Sequence, residues 1–202
     1  LKKPLIFHMM DDWPSTISGK GPINYFWKKT IDHEFRILLD RAKVLMSISD
    51  YMTTEYIARY GKNFIPFHNP INFEFWQRHQ RTTYQLSNSP AILYAGRVGL
   101  GIDTSLELVA AAIDKVNSTL NTDIKFVLAT REKPTWIKNY KNVVHRSWIP
   151  YEDLPKVFSE SDFLLLPYDF SQGAINFIRF SMPTKAPEYM MSGTPIILFA
   201  PK

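Results

Sequence analysis

The chain has 202 residues, is 45% hydrophobic and 21% charged, and carries a formal net charge of +5. This composition is typical of a folded globular protein, and the length suffices for one large domain or two small ones. The absence of cysteine excludes a disulfide scaffold, a thiolate metal site and a cysteine nucleophile. No apolar run approaches the ~20 residues of a membrane helix. The basic excess suits phosphate-bearing ligands or an anionic membrane surface, and equally a solvated lysine-rich surface.

Short apolar runs alternate with longer amphipathic stretches, which predicts parallel strands joined by helices. The runs are apolar at nearly every position, as in strands that are buried on both faces. The predicted strands are 5–9, 44–48, 64–67, 91–95, 124–128, 143–145, 163–166 and 196–199. The predicted helices are 31–43, 50–60, 73–78, 104–116, 151–160 and 184–192. The sequence therefore predicts an α/β fold.

Polar residues lie near the end of the first predicted strand and directly after it. Ligands of open α/β sheets bind beyond the carboxyl ends of the strands, so this turn is a candidate site. His8 could serve as a base or hydrogen-bond donor, and Asp11 could orient it or bind a sugar hydroxyl. Alternatively, Asp11 and Asp12 cap the following turn while Trp13 belongs to the core. The residues alone leave both interpretations open.

The stretch from residue 69 to residue 89 is polar and irregular, and the alternation of strands and helices restarts after it. We predict that residues 71–89 form an interdomain linker, which separates a first domain at 1–70 from a second at 90–202. A long surface loop inside one domain is the alternative interpretation.

A glycine-rich turn follows the strand predicted at 91–95. Gly96 permits close approach of a ligand to the backbone, and the start of the next helix favours an anion. Arg97 adds a forked cation that suits phosphate. These residues predict a phosphate site, although glycine also serves tight turns for purely conformational reasons.

A second candidate phosphate site lies at the start of the last predicted helix. Thr184 and Lys185 offer a hydroxyl and an ammonium group beside the free N–H groups of a helix start. Glu188, one turn further on, can accept hydrogen bonds from both hydroxyls of a ribose. The alternative is a capped helix with a solvated lysine. The preceding stretch, 168–181, is predicted as a ligand-contacting loop, since long loops are uncommon unless they are functional or disordered.

These segments resemble the motifs of one known family when they are taken together and in order. The pattern Thr184-Lys185-x-x-Glu188-Tyr189, the Gly96-Arg97 pair after its strand, and the runs at 47–52, 65–70, 143–154 and 162–167 resemble family 4-like glycosyltransferases with the GT-B fold. The resemblance covers practically the whole chain. It implies two Rossmann-like domains truncated at both ends: the last part of the acceptor-side domain, a linker, and a donor-binding domain that lacks its last helices.

The resemblance also implies a function. It is the transfer of a sugar from a nucleotide diphosphate sugar to a glycan or lipid-linked acceptor, without metal or cofactor, in bacterial surface polysaccharide biosynthesis. We expect a cytoplasmic protein with peripheral association at the inner face of the membrane, and a fragment that binds the donor without turnover. The residues implied for the donor phosphates are Gly96, Arg97, Thr184 and Lys185, with Glu188 for the ribose and Asp11 and His8 for catalysis.

Three positions depart from the family pattern. Phe180 stands where the family often has a second acidic residue, which leaves the stereochemical outcome of transfer open. No lysine follows the glycine–arginine pair, so Lys185 would have to serve with the arginine alone. Met10 occupies the place of the acceptor-domain histidine, and His8 lies on the same strand face by alternation.

Two other functions stay open. The absence of the second acidic residue and of the lysine after the glycine–arginine pair favours a non-catalytic, degenerate transferase domain that binds a nucleotide or phosphorylated ligand. The basic run at 78–81 suggests nucleic-acid binding, but aromatic residues are not interleaved with a basic stripe, so we expect no nucleic-acid partner.

Overall fold

The computed structural model describes residues 3–16, 22–99 and 102–201, and for residues 16 and 22–24 the backbone only. The chain forms two compact units. Unit 1 comprises Leu1–Pro70 and Gln172–Thr184, and unit 2 comprises Ile71–Ser171 and Lys185–Lys202. Both contain parallel sheets, so the predicted α/β class is confirmed.

The elements follow the predicted alternation. The strands are β1 Leu5–Met9, β2 Ala42–Ser47, β3 Ile65–Pro66, β4 Ala91–Ala95, β5 Lys125–Ala129, β6 Val143–Arg146, β7 Phe163–Pro167 and β8 Ile196–Phe199. The helices are α1 Trp13–Thr16, α2 Pro22–Arg41, α3 Asp50–Tyr60, α4 Phe73–Gln77, α5 Ile102–Leu120, α6 Leu154–Glu160, α7 Gln172–Ile178 and α8 Lys185–Ser192. Within the described residues, no helix is long and apolar enough to cross a bilayer.

Unit 1 has a three-stranded sheet in the order β1-β2-β3 and an aromatic core. The ring of Phe35 on α2 lies 5.7 Å from that of Phe7 and 5.1 Å from that of Tyr60, in edge-to-face contacts. Such contacts stabilise beyond the burial of their area. Helix α3 begins at an N-cap, since the Ser49 hydroxyl accepts a hydrogen bond from the Met52 amide at 3.1 Å.

Residues 172–184 belong to unit 1 rather than to the second domain. The loop prediction is wrong over 172–178, where helix α7 forms. Phe180 is buried in the core of unit 1, and its carbonyl accepts a hydrogen bond of 2.6 Å from the Ser49 hydroxyl. Phe180, where the resemblance leads to the expectation of a second acid, is thus part of the core of unit 1.

Unit 2 has five parallel strands in the order β6-β5-β4-β7-β8. Within the unit this is the Rossmann order 3-2-1-4-5, in which the connections change direction between β4 and β7. Helix α5 covers one face of the sheet with Leu106, Ala110 and Ile113, and a second cluster around Phe158 covers the other. Ligands of such sheets bind beyond the carboxyl ends of the strands at this switch point.

The segment that composition predicts as a linker, 71–89, is counted with unit 2 and is anchored to it. Trp76 on α4 is fully buried and stacks on Phe158 with ring centroids 5.6 Å apart. Asp162 accepts hydrogen bonds of 2.9–3.0 Å from Ser87 and from the Ala91 amide. Burial raises the pKa of Asp162, but these hydrogen bonds hold it below its usual range. The difference from the predicted boundaries arises because one indole and one carboxylate fix a mostly polar segment.

Single residues fix two of the helices of unit 2. Asp103, in the first turn of α5, accepts a 2.7 Å hydrogen bond from the Trp136 indole. At the end of α8, Gly193 adopts a φ of +72°, the left-handed conformation that favours glycine after a helix.

Candidate functional site

The carboxyl end of β4 meets the start of α8 at the ammonium group of Lys185. The Nζ of Lys185 lies 4.6 Å from the centroid of the Tyr94 ring. A Cβ atom added to Gly96 would lie 1.9 Å from the same Nζ. Any side chain at residue 96 would therefore displace the ammonium group, so the glycine predicted to admit a ligand makes room for a lysine.

Lys185 is a largely buried cation. The pKa of Lys185 is lowered to about 8, chiefly by burial; the charge of Glu188 opposes this effect and that of Arg97 adds to it. Among the described residues, no ion pair includes Lys185. A lysine with a pKa near 8 is mostly protonated at pH 7, so a positive charge faces this site without a carboxylate in ion-pair contact.

Arg97 and Glu188 complete the set in unit 2. Arg97 is exposed, and its carbonyl accepts a 2.6 Å hydrogen bond from the Tyr94 hydroxyl. Burial raises the pKa of Glu188, while Lys185 opposes that rise. Four predicted donor-site residues, Gly96, Arg97, Lys185 and Glu188, are thus brought together in one unit. This arrangement can bind an anion and accept hydrogen bonds beside it.

Thr184, the fifth residue predicted for the donor phosphates and ribose, does not lie in the same unit as the other four. It is exposed, belongs to unit 1 and directly precedes α8. Its hydroxyl makes no hydrogen bond within the ranges that the structure describes. Its predicted phosphate contact stays a prediction.

At the carboxyl end of β1, Asp12 anchors the fold of unit 1. It is 1% exposed and accepts hydrogen bonds from the Tyr56 hydroxyl at 2.7 Å, the Ser15 hydroxyl at 2.7 Å and the Arg59 guanidinium at 2.9 Å. Trp13 packs against the core of this unit. The structural interpretation of this turn therefore holds for Asp12 and Trp13.

Asp11 and His8 are less constrained. Asp11 is half-buried and accepts one 2.9 Å hydrogen bond from the Ser181 hydroxyl. The Nε2 atom of His8 is buried and has no hydrogen-bond partner among the described residues, and the ring packs edge-on against Phe67 at 5.7 Å. No hydrogen bond joins His8 to Asp11 within those residues. The catalytic role implied for His8 stays a prediction.

A polar cleft of about 400 Å³ opens beyond the carboxyl end of β6, lined by Arg146, Trp148, Asp153 and Lys156 among others. The Arg131 guanidinium lies 5.5 Å from the centroid of the exposed Trp148 ring. Sequence reasoning missed this cleft. The available signal was a tryptophan two residues after a strand that ends at the same edge of the sheet as β4.

Known structures share the fold of this chain. A sucrose-phosphate synthase from Thermosynechococcus elongatus superposes with a TM-score of 0.60 and 16% identity, over 84% of this chain and 44% of that one. A mutant of S. aureus TarM in complex with Fondaparinux, alpha-GlcNAc-glycerol and UDP gives 0.61 and 11%, over 96% and 36%. An apo structure of OtsA gives 0.56 and 14%, over 91% and 51%. The chain thus spans about a third to a half of the length of these proteins.

The likeness to these structures shows the fold, which is that of the GT-B glycosyltransferases. No curated protein matches the chain significantly. The model of the family described as glycosyl transferases group 1 matches residues 89–201, which is more than half of the chain. The predicted resemblance is thereby confirmed, and the chain belongs to the glycosyl transferases group 1 family.

Proposed function

We propose that this protein takes part in transferring a sugar from a nucleotide diphosphate sugar to a glycan or lipid-linked acceptor, as in the assembly of bacterial surface polysaccharides. The observation that carries the proposal is the buried ammonium group of Lys185, which lies at the carboxyl end of β4 without an ion-pair partner among the described residues. Family membership and the UDP named for the TarM complex support the same class of donor.

In the proposed reaction, the bond between the sugar and the diphosphate breaks, and negative charge grows on the departing phosphate. Lys185 and Arg97 stabilise that charge, and the lysine does so strongly because little water surrounds it. Glu188 accepts hydrogen bonds from the ribose hydroxyls. These two cations take the place of a metal ion, and metal independence stays a prediction.

The acceptor hydroxyl must lose a proton as its oxygen bonds to the sugar. We propose His8 as the base that takes this proton, and Asp11 as the residue that contacts an acceptor hydroxyl. His8→Gln is expected to slow transfer while UDP affinity stays the same. A parallel loss of UDP affinity would contradict this assignment.

The cleft beyond β6 is the proposed place of the nucleoside base. It lies at the same edge of the sheet as the phosphate set, and its exposed Trp148 offers a face on which a base can stack. We expect Trp148→Ala to weaken UDP binding by roughly tenfold, in line with the usual contribution of one base–aromatic stack.

The proposal is tested by melting curves with UDP, GDP, ADP and dTDP. We expect at least one of these to raise the melting temperature of the wild type, because ligands that bind the native state stabilise it. Lys185→Ala and Glu188→Ala should abolish the shift, whereas Lys115→Ala, at an exposed position on α5, should retain it. A folded protein whose melting temperature responds to none of the nucleotides would overturn the proposal.

A non-catalytic nucleotide-binding domain is the alternative function, and one observation favours it. Phe180, at the position of the family's second acid, is 8% exposed in the core of unit 1 and offers no group to a donor sugar. Incubation with UDP- and GDP-sugars separates the two functions. Binding with neither hydrolysis nor transfer selects the alternative, and released nucleotide diphosphate selects the enzyme.

Peripheral membrane association is proposed for the first turns of α2. Tyr25, Phe26 and Trp27 are 57%, 69% and 59% exposed, and Lys28 and Lys29 follow them. Aromatic rings beside lysines suit the interface of an anionic bilayer. We expect the protein to sediment with vesicles that contain phosphatidylglycerol, and a Phe26→Ser/Trp27→Ser variant to stay in the supernatant.

The matched control for this surface is Tyr84→Ser, at a 63% exposed aromatic residue of unit 2. Equal sedimentation of the control and the double variant would contradict the assignment to α2. Location at the cytoplasmic face stays a prediction.

A further inference from the structure

We propose that Tyr94 is a positioning residue that sets the place of both phosphate-binding cations, that of Lys185 through its ring and that of Arg97 through its hydroxyl. The inference rests on the proposed function, since it concerns the same donor site. It gives a role to a residue of the strand that precedes the glycine–arginine pair, for which the family resemblance implies none.

The ring of Tyr94 is a rigid platform for the lysine. Tyr94 is 4% exposed, and its ring is part of the buried cluster around Leu106 and Phe126. The Nζ of Lys185 lies 4.6 Å from the ring centroid, within the distance at which an ammonium group interacts with a π face. Because the ring is fixed by the core, it fixes the ammonium group as well.

A π face differs from a carboxylate as a partner for this cation. A carboxylate in contact would neutralise the charge of Lys185 and compete with phosphate. The ring attracts the cation through its quadrupole and leaves the net charge in place. Glu188 is near enough to affect the pKa of Lys185 but forms no ion pair with it among the described residues. The positive charge therefore stays available to a ligand.

The hydroxyl of Tyr94 has a separate task. It donates a 2.6 Å hydrogen bond to the carbonyl of Arg97, three residues further along the chain. Burial raises the pKa of Tyr94 to about 12, so the hydroxyl remains a donor throughout the physiological range. This hydrogen bond closes the turn after β4 and holds the backbone from which the arginine side chain extends.

Gly96 lies beside both the ammonium group of Lys185 and the hydroxyl of Tyr94. A Cβ at this position would lie 1.9 Å from the Nζ of Lys185 and 2.8 Å from the hydroxyl oxygen of Tyr94. The glycine, the tyrosine and the lysine therefore form one packed unit, in which each position depends on the other two.

The two tasks can be separated by substitution. Tyr94→Phe keeps the ring and removes the hydrogen bond to Arg97, whereas Tyr94→Leu removes both. We expect UDP affinity, measured by calorimetry at pH 7, to fall roughly threefold to tenfold in Tyr94→Phe, as for one neutral hydrogen bond. In Tyr94→Leu it should fall by on the order of 50-fold, since the cation–π contact is lost as well. Tyr140→Phe, at a half-buried tyrosine packed against the same cluster, should bind UDP like the wild type.

A double-mutant cycle with Lys185→Met distinguishes positioning from a general structural role. Lys185→Met is expected to weaken UDP binding to an affinity that calorimetry at high UDP concentration still measures. In that background Tyr94→Leu should lower UDP affinity much less than in the wild type, because the ring acts through the lysine. Equal losses in both backgrounds would overturn the inference, since a general disturbance of the sheet acts regardless of the lysine. Circular dichroism and melting curves show whether Tyr94→Leu folds, and Tyr94→Phe carries the test of the hydroxyl in any case.

The inference and the proposed function fail in different ways. A wild type that binds no nucleotide ends both. A wild type that binds UDP, binds it much more weakly in Lys185→Met and keeps full affinity in Tyr94→Phe and Tyr94→Leu leaves the proposed function standing and overturns the role of Tyr94.

Discussion

The two units each bury a charged side chain near the carboxyl end of their first strand, and the two charges differ in the partners that surround them. Asp12 of unit 1 is surrounded by donors from Tyr56, Ser15 and Arg59. Lys185 of unit 2 rests on an aromatic ring and has no ion-pair partner within the described part of the chain. A buried charge with all its partners in place holds a fold together, whereas one left without a counter-charge marks a place for a ligand.

The largest effect is expected at the partnered charge. Asp12→Ala leaves the buried Tyr56 hydroxyl without its acceptor and removes one of the two carboxylate partners of Arg59, which keeps its ion pair with Glu55. We expect a loss of about 3 kcal/mol in the free energy of unfolding, as for a broken buried pair. Asp11→Ala, at the half-buried neighbour with one hydrogen bond, should cost about 1 kcal/mol or less. Urea unfolding measures both, and equal losses would remove the distinction between the two aspartates.

Removing the charge of Lys185 should change the free energy of unfolding in the opposite direction. Because burial holds the pKa of Lys185 near 8 instead of the ordinary 10.5, the folded protein binds fewer protons than the unfolded chain between these values. The buried charge therefore destabilises the protein fully below about pH 8, and the penalty fades as the pH rises towards 10.5. We expect Lys185→Met to raise the free energy of unfolding by about 2 kcal/mol at pH 7, with partial solvation reducing the full linkage value.

This gain should shrink when the same unfolding experiment is done near pH 10. Lys115→Met, at an exposed position on α5, serves as the control and should change stability little at either pH. A destabilised Lys185→Met at pH 7 would mean that the ammonium group has strong partners, as Asp12 has, and would contradict the difference between the two charges.

The smallest effect is expected at the glycine that admits the lysine. Gly96→Ala places a methyl group on the position of the ammonium group, so the flexible lysine must move. We expect UDP affinity to fall about tenfold, or roughly 1.4 kcal/mol. Gly173→Ala, where an added Cβ meets nothing within 4 Å, is the matched control and should bind UDP normally. Unchanged affinity in Gly96→Ala would show that the position of Lys185 does not matter for binding.

Much of the fold could be predicted because buried strands are apolar at nearly every position and can be recognised from the sequence. The apolar runs at β1, β4 and β8 give the observed bounds, and Gly193 marks the end of α8. Helix α7 was missed because glycine and polar residues in 172–178 hide its apolar positions. The membership of 71–89 in unit 2 depends on Trp76 and Asp162, whose partners lie far away in the chain.

The residues of the candidate site also fall into those that the sequence could predict and one that it could not. Gly96, Arg97, Lys185 and Glu188 could be predicted because residue type and position after a strand or at a helix start indicate phosphate chemistry. The role of Tyr94 could not, since the sequence places it in a buried strand but does not show which side chains and carbonyls it contacts. Its two contacts appear only when β4 and α8 are placed side by side.

The measurement that tests the central claim most directly is the titration of the Lys185 ε-carbon by ¹³C NMR, with and without UDP. The Lys185→Arg variant identifies the signal. We predict a pKa of about 8 in the free protein, and a rise of about one unit or more with saturating UDP, because a bound phosphate favours the charged form. A lysine that titrates near its ordinary 10.5 in the free protein, or whose pKa does not respond to UDP, would contradict a buried cation held ready for a nucleotide diphosphate.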